Sequence, residues 1–149
     1  MKKALIAATL MLLVVGAAHA MDKPFGLGLI FGEPSGISFK YWTGKTTAID
    51  AGAAWSFINE SAFQMHGDLL FHNFDIFQVD RGRMALYYGF GARLKLADRT
   101  KFSLRVPLGI SYEFERADIE IFMEVVPMMD LAPATQAAVA GGVGFRYYF

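Results

Sequence analysis

An alternation of apolar and polar residues with a period of two runs through most of the chain after residue 20, and it constrains the fold more than any other feature. Successive side chains of a β-strand point to opposite faces, so this pattern predicts strands with one apolar and one polar face. Beyond residue 20 there is no charge-free apolar stretch of 18 or more residues, which excludes a membrane-spanning helix. A closed β-barrel is the other structure that satisfies every backbone group inside a bilayer. Segment 101–113 is the clearest example, with apolar Phe102, Leu104, Val106, Leu108, Ile110 and Tyr112 at every second position.

The first twenty residues have the pattern of a secretory signal peptide. Lys2 and Lys3 precede an apolar run that is too short for a spanning helix, and the run closes with Ala18-His19-Ala20, a small-x-small cleavage pattern. The alternative is an uncleaved inner-membrane anchor. We expect cleavage after Ala20 and a single domain over residues 21–149.

Composition narrows the class of the mature chain. Without Lys2 and Lys3, the 14 basic and 14 acidic residues become 12 and 14, so nothing recommends a nucleic-acid partner. There is no cysteine, which leaves no disulfide, thiolate metal site or lipid-anchored cysteine. We expect no cofactor, and architecture alone must stabilise the chain.

Turn residues punctuate the alternation at intervals too short for crossover helices, which predicts an all-β, antiparallel, up-and-down barrel of eight strands. The first hairpin looks short. Pro107 falls inside the sixth strand, and a bulge is expected there because proline has no N–H for the ladder. The predicted strands are 25–31, 36–42, 47–57, 63–74, 84–95, 101–113, 118–126 and 137–149.

Two barrels are compatible with this pattern: a transmembrane barrel with its apolar face outward, or a soluble lipocalin-like carrier with that face inward. The polar faces of strands 47–57 and 137–149 are rich in alanine and glycine. Such residues would add little solubility outside, whereas inside a narrow barrel they leave room for a few long side chains. Aromatic residues also cluster towards strand ends, as membrane-interface girdles require. Both features favour the outer-membrane barrel.

The last segment, Gly144-Phe145-Arg146-Tyr147-Tyr148-Phe149, resembles the closing strand of bacterial outer-membrane barrels. Segments 32–36, 71–75 and 106–112 extend the resemblance to a family of small outer-membrane barrels similar in shape to the transmembrane domain of outer membrane protein A. The resemblance implies outer-membrane localisation in lipid, and recognition of Phe145, Tyr147 and Phe149 by the insertion machinery. It implies no catalytic activity.

Strand parity places ten charged residues on the inward face, five of each sign. An unpaired buried charge costs several kcal/mol, so these residues should pair into a network that plugs the lumen. The alternative is an open pore, for which eight strands leave little room. The ten residues are Lys40, Asp50, Asp68, Arg93, Lys95, Arg105, Glu113, Glu120, Glu124 and Arg146.

An enzymatic role is the first rival to a structural or interaction role. Ser56, placed diagonally opposite His66, could form an acyl-transfer group with His66 and Asp68 that acts on lipid. No nucleophile motif supports it, so no catalytic residue is predicted. No metal site is predicted either, because His66 and His72 lie about 20 Å apart on one strand. The outward loop 127–136 is the most apolar. It is expected to pack as a cap on the barrel, and the alternative is contact with lipid headgroups or with an unknown surface or periplasmic protein.

Overall fold

A computed structural model describes residues 23–56 and 61–149. The predicted signal peptide, and most of the turn predicted after the third strand, lie outside these residues. The described residues form nine strands and no helix. The strands are β1 (Phe25–Glu33), β2 (Ser35–Trp42), β3 (Thr47–Ser56), β4 (Ala62–Asn73), β5 (Arg83–Leu96), β6 (Lys101–Arg105), β7 (Leu108–Glu113), β8 (Ile119–Ala132) and β9 (Gln136–Tyr148).

The strands close into a ring in which every pairing is antiparallel. Consecutive strands pair around the wall, and β1 pairs with β9 to complete it. β6 and β7 both lie between β5 and β8, so they are two halves of one wall strand. The predicted eight-stranded, up-and-down β-barrel is therefore confirmed.

The strand boundaries differ from the prediction where prolines occur. β1 and β2 reach Glu33 and Ser35, so the first hairpin is longer than predicted. β8 continues through Pro127 to Ala132, and the predicted loop 127–136 was wrong because only a short turn separates β8 from β9. Pro127 does not end the strand, because its carbonyl still accepts a hydrogen bond from the Val106 N–H at 3.0 Å.

The bulge predicted at Pro107 was also wrong. Arg105 pairs with Met128 and Leu108 with Val125, which is one unbroken register across Pro107. The ladder continues because the Pro107 carbonyl accepts a hydrogen bond from the Gly89 N–H at 3.0 Å. The irregularity lies instead between Phe102 and Ser103, whose partners on β8 are Ala132 and Asp130. Leu131 is the extra residue of this bulge.

The two faces of the wall have opposite chemistry. On β8, every second residue from Glu120 to Asp130 is buried, and the residues between them are exposed and apolar. Large apolar side chains also cover the outside of the other strands, including Phe90, Leu104 and Val139. Charged and polar side chains lie inside, where they share the interior with an apolar cluster of Trp42, Ala48, Leu70, Tyr87, Phe122 and Tyr148. Across residues 23–56 and 61–149, no helix has the length and apolarity needed to cross a membrane.

Candidate functional site

The largest ionic cluster of the interior joins β2, β3, β8 and β9. The Arg146 guanidinium contacts Glu120 and Asp50, each at 2.6 Å, and the Lys40 ammonium contacts Glu120 at 2.7 Å. The side chains of Lys40 and Glu120 are 0% exposed, and that of Arg146 is 2% exposed. Two cations and two carboxylates therefore form a dry, balanced group across the barrel.

Neutral side chains complete the hydrogen bonding of this cluster. Arg146 Nε donates to the Ser38 hydroxyl at 2.9 Å, and the Tyr148 hydroxyl donates to Glu120 at 3.2 Å. Lys40 Nζ lies 2.8 Å from His72 Nε2 and 4.3 Å from the centre of the Trp42 ring. The cluster therefore satisfies its charges with hydrogen bonds as well as with ion pairs.

The middle of the barrel contains one guanidinium between two carboxylates. Arg105 Nε lies 3.0 Å from Asp68 Oδ1, and Arg105 Nη2 lies 3.8 Å from Glu124 Oε1. Glu124 also accepts a hydrogen bond from the Tyr87 hydroxyl at 2.9 Å. This group of Arg105, Asp68 and Glu124 therefore has one more carboxylate than it has cations.

The third group is centred on Arg93. It lies towards the end of the barrel opposite to the start of β1 and the end of β9. Its guanidinium donates to Asp130 at 2.9 Å, to Ser103 at 2.9 Å and to Gln64 at 3.2 Å. Ser103 in turn donates to Asp130. Three strands that are distant in sequence are joined through this one side chain.

Eight of the ten charged residues predicted to face inward are buried in these groups; Lys95 and Glu113 are half-buried. Glu113 lies at the end of β7 and pairs with the partly exposed Arg83 at 2.5 Å. A second pair at the same mouth joins Lys23 and Asp118, and the hydrogen bond to Asp118 raises the pKa of the Lys23 amine. Glu113 thus belongs to the rim and not to the central network.

Sequence reasoning missed Asp130, because it placed this residue in a loop. The continued alternation of Val126, Met128 and Asp130 on the buried face was the signal that could have found it. It also left His72 out of the network, although parity put it on the inward face. Its contact with Lys40 depends on the pairing of four strands, which the sequence does not show.

The proposed acyl-transfer group does not form in the predicted register. Ser56 pairs with Ala62, whereas His66 pairs with Gly52, so the predicted diagonal placement was wrong. Ser56 and His66 are four residues apart along the sheet, about 13 Å at about 3.3 Å per residue. The His66 imidazole instead lies 3.2 Å from Asp50.

Asp50, His66 and Asp68 form a compact group of potential metal ligands on β3 and β4. One donor atom from each residue lies within 4.8 Å of the other two. Glycines opposite this group give it space. A Cβ on Gly52 would come within 2.5 Å of the His66 ring, and a Cβ on Gly91 within 2.0 Å of Asp68 Oδ1.

The aromatic residues predicted as an insertion signal lie on the outward face of β9 and just after it. Phe145, Tyr147 and Phe149 are all exposed. The Phe149 ring stacks on Phe25 with centroids 6.2 Å apart, and its N–H donates to the Phe25 carbonyl at 2.8 Å. The last residues therefore fasten the seam between β9 and β1, and their recognition by insertion machinery stays a prediction.

The closed ring and its strand order can be compared with solved structures. The N-terminal β-barrel domain of Pseudomonas aeruginosa OprF is similar to this chain with a TM-score of 0.60, over 84% of this chain and 95% of that one. The two barrels share one fold. Their sequences are 12% identical, no protein-family model matches this chain, and no curated protein sequence matches it. The resemblance to barrels of the outer membrane protein A type is thus confirmed for the fold.

Proposed function

We propose that this chain is a non-enzymatic outer-membrane β-barrel protein with a structural or interaction role, and that paired charges plug its lumen. The observation that carries the proposal is the difference between the two faces: exposed apolar side chains surround the ring, and the buried ion pairs lie inside it. The proposed location follows export through a cleaved signal peptide.

The outward face supports a membrane environment. Phe90, Met123 and Val139 are 59%, 56% and 72% exposed, although they are large and apolar. Contiguous apolar surface of this kind is unfavourable in water but is matched by lipid. A soluble carrier would need an apolar cavity in the place where Arg146, Lys40 and Glu120 lie, so the arrangement argues against that alternative.

The interior supports a plug. Arg146 extends from β9 to Asp50 on β3, and Lys40 extends from β2 to Glu120 on β8, so ion pairs cross the lumen in both directions. Eight-stranded barrels are only wide enough for side chains to fill. A continuous water path would have to separate or displace these paired side chains.

The proposed role leaves lipid as the surrounding partner and the turns as the contact surface for any protein partner. The β8–β9 turn is short, so β8 presents its apolar residues Met129 and Leu131 on the wall and not in a loop. Lipid contact along the wall is therefore favoured at that site over the capping loop expected from the sequence and over recognition by a loop.

We expect the protein to fractionate with outer membranes and to resist extraction by carbonate and by salt, because its apolar face cannot leave lipid without exposure to water. Unheated samples should migrate differently from boiled samples on a denaturing gel, as closed barrels do. An exported soluble protein processed in parallel is the control. Recovery of this chain in the soluble periplasmic fraction would contradict the membrane location.

We also expect no stepwise conductance when the refolded barrel is inserted into planar bilayers, because the ion pairs occupy the lumen. Heat-modifiable mobility of the same preparation on a denaturing gel establishes that the barrel is folded. Reproducible, long-lived current steps from the folded protein would replace the plug by a channel.

A further inference from the structure

We propose that Asp50, His66 and Asp68 bind one transition-metal ion of the zinc class inside the barrel. The group combines two carboxylates with one imidazole, a donor set that zinc accepts. His66 Nε2 and Asp50 Oδ1 are 3.2 Å apart, close to the edge of about 3.4 Å that two ligands subtend in a tetrahedral zinc site. The remaining donor lies within 4.8 Å of the other two, so a side-chain movement of up to about 1.4 Å closes the site.

The placement of the two carboxylates calls for a cation. Asp50 and Asp68 are directly opposite each other on β3 and β4, and like charges in that position repel. Arg146 is shared by Asp50 and Glu120, and Arg105 is shared by Asp68 and Glu124. The nearest cations are therefore each divided between two acids, and a bound metal ion would relieve the repulsion between Asp50 and Asp68.

Asp68 supplies a second, independent indication of a ligand. Its side chain is 1% exposed, and Oδ1 accepts no hydrogen bond from any described residue. Arg105 Nε is close to this oxygen, at 3.0 Å, but the contact lacks hydrogen-bond geometry, and Nε is likewise left without one. Asp68 Oδ1 therefore has a charge partner but no hydrogen-bond donor, and it can accept a further ligand contact.

The surroundings provide space for an ion and a water molecule. Gly52 and Gly91 face His66 and Asp68, and any side chain at either position would overlap the ligands. A cavity of about 20 Å³ adjoins His66 and Arg105, enough for about one water molecule. Three protein ligands and one water would complete a tetrahedral centre.

Metal binding would rearrange the group in a defined way. The metal would bind the Nε2 lone pair of a neutral His66 imidazole whose proton lies on Nδ1, and would take the place of the present contact between Nε2 and Asp50. Asp68 would turn from Arg105 to the metal, and Arg105 would move towards Glu124, now 3.8 Å away.

The test uses the full-length mature barrel refolded in detergent and titrated with Co²⁺, followed by competition with Zn²⁺. We expect the visible absorption of low-symmetry Co²⁺ at one equivalent per chain, and its loss on addition of Zn²⁺. His66→Gln should weaken Co²⁺ binding at least about tenfold, and Asp68→Asn should do the same. His72→Gln is the matched control, because His72 is an inward histidine of the same strand that contacts Lys40 and none of the three proposed ligands.

Heat-modifiable mobility of each variant establishes that it is folded before titration. In a second measurement, Zn²⁺ should raise the unfolding temperature of the native barrel and of His72→Gln but not that of His66→Gln. The proposal is overturned if the folded native barrel gives no Co²⁺ spectrum, or if folded His66→Gln binds Co²⁺ as tightly as the native chain.

Discussion

Arg146→Met is expected to lower the free energy of unfolding by about 3 to 5 kcal/mol. The guanidinium contacts Glu120 and Asp50 at 2.6 Å each. Its removal takes a positive partner from both carboxylates, whose side chains are only 0% and 5% exposed. Methionine keeps much of the side-chain volume, so the loss reports charge and not a cavity. Denaturant midpoints of the refolded barrel measure the effect.

The double variant Arg146→Met/Glu120→Gln should lose less stability than the sum of its two single variants. Lys40 and Asp50 remain, and these residues are direct cross-strand neighbours on β2 and β3, so they can pair with each other. Arg83→Met is the control, since Arg83 pairs with Glu113 at the exposed rim and such pairs contribute about 0 to 1 kcal/mol. Small, equal losses in all four variants would indicate a hydrated lumen and contradict the plug.

Val125→Arg is expected to destabilise the barrel in lipid by about 2 to 4 kcal/mol, the second largest effect. Val125 lies at the middle of β8 and is 54% exposed on the outward face. An arginine there would have to enter the hydrocarbon at about its midplane if the barrel spans a bilayer. The measurement is the free energy of unfolding from lipid vesicles.

Ile119→Arg is the depth control for this prediction. Ile119 is also outward on β8 but is the first residue of the strand, where a charge costs about 0 to 1 kcal/mol. Val125→Leu controls for the change of residue on the lipid face. Equal, near-zero costs for the two arginine variants would be the behaviour of a protein surrounded by water, and would argue against the membrane location.

The fold could be predicted because the alternation of residues within each strand distinguishes its apolar face from its polar face. Strand parity requires only local information, and it placed Glu120, Glu124 and Arg146 inside before any pairing was known. The ends of β8 could not be predicted in this way. Proline is a reliable breaker in an isolated segment, but Pro127 has neighbours on both sides, and its carbonyl still serves the ladder.

The partners inside the barrel could not be predicted, because they depend on the register between strands and on the curvature of the ring. Arg146 and Asp50 are 96 residues apart in sequence and meet only when β9 has closed against β1. His66 was considered as a partner of Ser56 and of His72 along the chain. The structure pairs it with Asp50 instead, because the register of β3 and β4 brings Gly52 opposite its ring.

The unbroken register across Pro107 and Pro127 leaves the barrel wall with fewer hydrogen bonds at these two positions. Gly89 donates to Pro107 and Val106 donates to Pro127, but neither proline has an N–H with which to return the bond. A hydrogen-bonded pair of residues in an antiparallel sheet ordinarily exchanges two hydrogen bonds. Val106 and Pro107, which are consecutive in one wall strand, each have only one such bond, Val106 with β8 and Pro107 with β5. In a bilayer, where the proposed function places this wall, no water would replace the missing donors. We therefore expect transient opening of the barrel wall to begin along this strand, away from the pairing of β1 with β9 that closes the ring.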